Sequence, residues 1–283
     1  MKNKFLNQFM ALLIRELKLK TVFKAYFTLS IIDSVLNALL IFLLIGLGGK
    51  STEGYVSSYF EFILTGIIVQ KFLNTCISSP YHAIYSYYMK GLIDIIYLES
   101  TNVIILLLPR AFLGLIMGFL DLFLIFSIAL LFNTEILYML SSLLLLLLFF
   151  GIIACMGIGL MAASMLYLAD ARTGSNPVIW IFNLFSTIIS GAYYPLEKLP
   201  FSIQILSLIL PHTYVLDLVR RFSGIIDFAK PYLLIHFHVI LSPVLCDFLF
   251  LALLCVAYIF LGIILMKISL SRARQEGRIS RWI

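Results

Sequence analysis

The chain has little charge. Of its 283 residues only 12% are Asp, Glu, Lys or Arg, against about 25% in a soluble domain. With 62% hydrophobic residues and a mean hydropathy of +1.08, this composition excludes a water-soluble fold and implies an integral membrane protein. Cysteine is scarce as well. Cys76, Cys155, Cys246 and Cys255 all fall in apolar runs. Cys246 and Cys255 lie nine positions apart, about 13 Å along a helix and on opposite faces, so they cannot bridge within one helix. Free, buried thiols are expected.

Catalytic signatures are missing too. There is no H-E-x-x-H, and Ile188-Ile189-Ser190-Gly191 lacks the leading glycine of a serine-nucleophile turn. His236 and His238, two apart on a helix, point about 200° away from each other and are poorly placed to share a metal. No catalytic or metal-ligating constellation is expected. Gly49-Lys50-Ser51-Thr52 looks like the end of a phosphate-binding loop, but Leu44 stands where the first glycine belongs. It follows the apolar run from Ala38 rather than a buried strand. A glycine-rich helix stop before a short polar loop is the expectation.

What the sequence does have is long apolar runs. A helix crosses the hydrocarbon with about 20 mainly apolar residues, and six candidate spans lie near 25–47, 59–78, 110–132, 137–167, 178–194 and 236–266. The predicted fold class is an all-α integral membrane protein: a single 25–283 domain of six transmembrane helices, preceded by residues 1–24. In those first residues Lys4, Asn7, Gln8, Arg15 and Lys18 share one helical face, and Phe5, Phe9, Leu12, Leu13 and Leu17 the other. An amphipathic helix lying in the interface fits this; extension of the first span into the cytoplasm is the alternative. The scattered lysines and arginines rule out a signal peptide.

An even number of spans puts both termini on one side. The tails and the 79–110 and 168–177 connections hold fourteen of the twenty Lys and Arg, the opposite loops five, with Lys71 inside the second span. By the positive-inside rule both termini are expected in the cytoplasm. The net charge of +6 then reflects topology, and no nucleic-acid partner is implied.

Two connections are longer than turns. Tyr81 to Pro109 mixes aromatics, charges and an apolar repeat, and fits a short cytoplasmic amphipathic helix. On the outer side, prolines at 195, 200 and 211 divide Ser190 to Phe222 into apolar pieces of about ten residues, too short to cross at roughly 15 Å each. These must dip in and return, or pack on the bundle.

Pro195-Leu196-Glu197-Lys198-Leu199-Pro200, then Ile203-Gln204-Ile205-Leu206, then Leu210-Pro211-His212-Thr213-Tyr214-Val215-Leu216-Asp217-Leu218-Val219-Arg220 resembles the signature of type-2 ATP-binding-cassette (ABC) exporter permeases, the drug and lipo-oligosaccharide export members in particular. Between spans two and three that family places a cytoplasmic coupling helix. Lys90, Gly91, Leu92 and Asp94, with Leu98 and Glu99 behind them, resemble it, though the charged run before the glycine is reduced to Lys90.

The resemblance implies a plasma-membrane permease working as a dimer, with a second identical or paralogous copy and two copies of a separate ATPase. ATP and Mg would be bound by that partner, with no cofactor in this chain, which is not itself an enzyme. The implied cargo is an amphipathic or hydrophobic small molecule, lipid or glycolipid, with polysaccharide export or an intramembrane lipid-modifying enzyme as alternatives. Pro195, Glu197, Pro200, Pro211, Asp217 and Arg220 would shape an outer gate, and Asp217 is spaced to pair with Arg221.

Polar stripes occur in the two spans along which the family's pathway runs. Ser30, Asp33, Ser34 and Asn37 lie on one face of span one, and Asn183, Ser186, Thr187, Ser190 and Tyr194 on one face of span five. Such stripes face a partner helix or a wet cavity, so a translocation path, a dimer face and packing within one bundle all remain open. Glu61, Lys71, Asp121 and Asp247 are further charges inside spans and, by their cost there, functional candidates.

Overall fold

Helix α1, Glu53–Met89, departs from the expected 59–78 span. It continues through Pro80, so Tyr81 to Met89 extend the span rather than begin a separate segment. A proline inside a helix costs about 3 kcal/mol, and two features offset it here. The Pro80 ring lies against Gly159 of the next helix, where a Cβ would come within 2.7 Å of it. Tyr81, Ile84, Tyr87 and Tyr88 beyond the proline are buried. Burial of that face carries the helix past its local breaker.

The chain is seen in a computed structural model that describes residues 10, 11, 13, 14, 18, 28, 29, 32, 35, 36, 39, 53–90, 112, 113, 116, 118, 119, 123, 142–168, 176–222 and 243–275. After α1 come α2 (Ser142–Leu168), α3 (Pro177–Ile189), a 3-10 turn (Leu196–Lys198), α4 (Phe201–Ser207), α5 (Pro211–Phe222) and α6 (Pro243–Gln275). Among the described residues there is no strand. Three helices, α1, α2 and α6, are long and apolar enough to cross a membrane, which makes this an all-α membrane protein. Helix α2 matches the expected fourth span, and α6 continues the sixth by nine residues to a basic last turn at Arg272 and Arg274.

Close glycine contacts show that α1, α2 and α6 run parallel. Along α2, Gly151 meets Leu73 of α1, and Gly159 meets Ile77 and Pro80. In the same order Gly157 meets Tyr258 and Ile259 of α6, and the Ser269 hydroxyl donates to Ser164 O at 2.8 Å. The C-terminal ends of all three therefore share one end of the bundle, where Tyr88, Tyr167, Met266 and Leu270 pack together. Gly118 and Phe119, described as helical, lie beside Phe72 at mid-length of α1, with the two phenyl rings 4.9 Å apart.

Helix α3 starts from that shared end. Asn176 is its N-cap: its Oδ1 accepts from Val178 N (3.0 Å) and Ile179 N (3.3 Å), while Nδ2 donates to Ala162 O of α2 (2.7 Å). Asn176→Ala removes cap and tether together and should cost about 2 kcal/mol. Asn176→Asp keeps the cap alone and should lose less, as read from thermal unfolding in mild detergent.

The expected 178–194 span is a second correction. Helix α3 ends at Ile189, and its 13 residues extend about 20 Å, short of the roughly 30 Å of hydrocarbon. Gly191 takes φ +82°, a left-handed conformation that turns the chain out of the helix at little cost for glycine alone. Tyr194 therefore lies beyond the helix on which the polar stripe was expected. The prolines act as anticipated: Pro195 precedes the 3-10 turn, Pro200 caps α4 and Pro211 opens α5. The pieces measure seven and twelve residues and cross at 91°.

Candidate functional site

Helix α5 reads PHTYVLDLVRRF, polar for a core segment, yet nine of its twelve residues are buried. It lies against α1, α2 and α6 near their N-terminal ends, with Val215 on Gly151 and Leu73 and the Tyr214 ring stacked on Phe250. Burial is tolerable because most of its polar groups find partners. Thr213 Oγ1 donates to Ser207 O (2.9 Å), Tyr214 OH to Leu208 O (3.0 Å), and Tyr258 OH from α6 to Ile209 O (2.6 Å).

Arg220 is the centre of this region. Its side chain is 3% exposed, and it donates from Nη1 to Gly191 O (2.8 Å) and from Nη2 to Ala192 O and Phe62 O (both 3.0 Å). The guanidinium also lies 3.5 Å over the Phe62 ring. The first two carbonyls are freed where α3 unwinds, at the negative end of its dipole. A planar fork of donors from α5 thus takes the place of the missing helical turn. Gly66 is required beside it, since a Cβ there would come within 2.0 Å of Ala192 O.

A second polar cluster joins α1, α3 and α5. Gln70 Nε2 donates to Thr187 Oγ1 (2.7 Å) and reaches Ser186 Oγ (3.4 Å). Asn74 Oδ1 accepts from Ser186 Oγ (3.2 Å) and from His212 Nε2 (3.0 Å), which assigns the imidazole hydrogen to Nε2. His212 is fully buried and its Nδ1 has no hydrogen-bond partner, as is true of Asn183 Oδ1. Gln70 and Asn74, four apart in α1 on the face turned to α3, were not singled out from the sequence; that spacing is the signal that could have found them.

The residues proposed from sequence divide accordingly. Ser186 and Thr187 bond across to α1, Ser190 is buried with its hydroxyl on Ser186 O, Asn183 is half-buried, and Thr187 and Tyr194 keep exposed surface. Asp217 pairs with Arg221 at 2.8 Å, as the spacing predicted, whereas Arg220 binds carbonyls instead. Asp247 of α6 approaches the same Arg221 at 3.8 Å. Of Glu197 only the backbone is described, and the Glu61 side chain, Asp121, His236 and His238 lie outside the described residues.

Lys90 sits exposed just after α1, its amide donating to Ser86 O at 3.3 Å. The rest of the coupling group, Gly91, Leu92, Asp94, Leu98 and Glu99, lies outside the described residues, as do Ser30, Asp33, Ser34 and Asn37 of the first span. All four cysteines are buried and free, as expected. Among the described residues no group of three or more His, Cys, Asp or Glu is placed to hold a metal ion. No protein-family model matches the chain, and a comparison with curated proteins likewise returns no match.

Proposed function

We propose that the chain is the transmembrane subunit of an ABC exporter, moving an amphipathic or hydrophobic small molecule, lipid or glycolipid outward across the plasma membrane. One observation carries the reading. The apolar helix α3 stops part-way and hands over, between Pro195, Pro200 and Pro211, to two short helices at 91°. This arrangement supports the resemblance carried by the same residues to type-2 exporter permeases. The parallel course of α1, α2 and α6 adds support, because the chain must return to the same end of the bundle before each of them starts.

Both termini are then cytoplasmic, at the end bearing Lys90, Lys267, Arg272 and Arg274. A partner ATPase engages Lys90 to Glu99, and ATP-driven closure of the ATPase pair pushes the two coupling segments together and opens a path between two permease copies. Purification of the tagged chain in mild detergent should bring down a soluble ABC ATPase. Gly91→Val with Asp94→Ala should reduce that recovery at least about tenfold, a loss of about 1.4 kcal/mol in binding, with the permease's own unfolding temperature unchanged. Recovery of the chain alone under several gentle conditions, with no ATPase able to rejoin it, would overturn the proposal.

A further inference from the structure

Asp247 lies on α6, where Val244 to Met266 contains no other charged residue. It is 4% exposed, and as a carboxylate its Oδ2 is buried with no hydrogen-bond donor in reach. Arg221 Nε is 3.8 Å away, beyond hydrogen-bond distance, and already donates to Asp217 Oδ2 at 2.8 Å. The Asp217 carboxyl shares Arg221 Nε with Asp247, at 2.8 Å against 3.8 Å, so the two carboxyl groups stand together at one guanidinium. Two ionised carboxylates can only accept, and side by side in an apolar setting they repel.

The setting is apolar on every described side. Phe248 packs edge-on to Phe150 of α2, and Phe250 stacks on Tyr214. Helix α2 brings no charged residue, and its titratable side chains are Cys155 and Tyr167. From Phe62 to Met89, α1 brings one charge, Lys71. On α5, Arg220 is directed to carbonyls of Phe62, Gly191 and Ala192, and on α6 Tyr258 donates to Ile209 O.

We propose that Asp217, Arg221 and Asp247 form a proton-binding site at the junction of α5 and α6, in which the two carboxyl groups share one proton and complete a neutral set with the guanidinium. The proton gives Asp247 an O–H with which to donate to Asp217, so the buried oxygen gains its bond and the net charge of the three groups is zero. When it leaves for water, two carboxylates face one guanidinium and the junction weakens. The inference is independent of the export reading, because its test needs only the folded chain.

The folded chain holds a proton that the solvated carboxylates of the unfolded chain release, so linkage makes stability fall as pH rises. In mild detergent at constant ionic strength, the unfolding temperature should drop by about 5 °C between about pH 6 and about pH 9. Asp247→Asn replaces the acid O–H by an amide N–H and should hold its unfolding temperature across that range. Infrared difference spectra of wild type against this variant at the lower pH should show the carbonyl band of a protonated carboxylic acid. If Asp247→Asn does not fold, Asp217→Asn carries the same test from the other side. Loss of stability in step with wild type in the variant that folds, or absence of the acid band, would overturn the proposal. Recovery at high pH on replacing choline by sodium would also overturn it, in favour of a metal cation.

Discussion

Replacement of Gly157 by valine is expected to abolish accumulation of well-folded protein. A Cβ at this position would stand 2.6 to 2.8 Å from the backbone of Tyr258 and Ile259, and backbone inside a helix cannot yield as a flexible side chain does. The reciprocal contact is as tight, with a Cβ on Gly262 2.6 Å from Gly157 O. Helices α2 and α6 must therefore separate. In a bilayer, helix association depends on close packing, because lipid is as apolar as the side chains it replaces. The separation should cost about 3 kcal/mol or more. Monodisperse yield and unfolding temperature in mild detergent measure it. Val256→Ala, on the exposed side of α6 where Val256 is 70% accessible, should change little. Wild-type stability in Gly157→Val would mean that this glycine seam does not hold the bundle together.

Arg220→Met should have the second largest effect. Methionine keeps much of the volume and removes every donor, which strands the buried carbonyls of Gly191, Ala192 and Phe62. At about 1 to 3 kcal/mol for each unsatisfied buried group, partly relieved by local rearrangement, a loss of about 4 kcal/mol is expected. Arg220→Lys restores a charge but not the planar fork, and should recover less than half. Hydrogen exchange locates the effect: amides from Ile189 to Tyr194 should lose protection in Arg220→Met before those in the middle of α2. Uniform loss across all helices would show that Arg220 supports the bundle at large rather than the break after α3.

The pairs and spans set by local spacing were legible. Asp217 and Arg221 stand four apart on one helix and meet at 2.8 Å whatever surrounds them. Helix α2 declares itself by an apolar run longer than any soluble helix needs, and the prolines at 195, 200 and 211 delimit the short pieces as their missing amides require. Illegible were the departures that depend on a distant partner. Pro80 marks a local stop, which Gly159 of α2, some eighty residues away, overrides by giving the ring a place. Helix α3 shows no stop in its own apolar sequence until Gly191, and the break is stable because Arg220 supplies donors to the freed carbonyls.

Composition alone determined that this is a helical membrane protein, because apolar residues in such excess can be satisfied only in lipid and a backbone crossing lipid must bond to itself. Tertiary structure decided the rest: that the polar helix α5 is interior, that Ser186 and Thr187 bond to Asn74 and Gln70, and that Asp247 meets Asp217 and Arg221. The physical reason is that a buried polar group is stable only with its partner. For His212, Arg220 and Asp247 the partners stand on other segments of the chain, at separations the linear pattern does not encode.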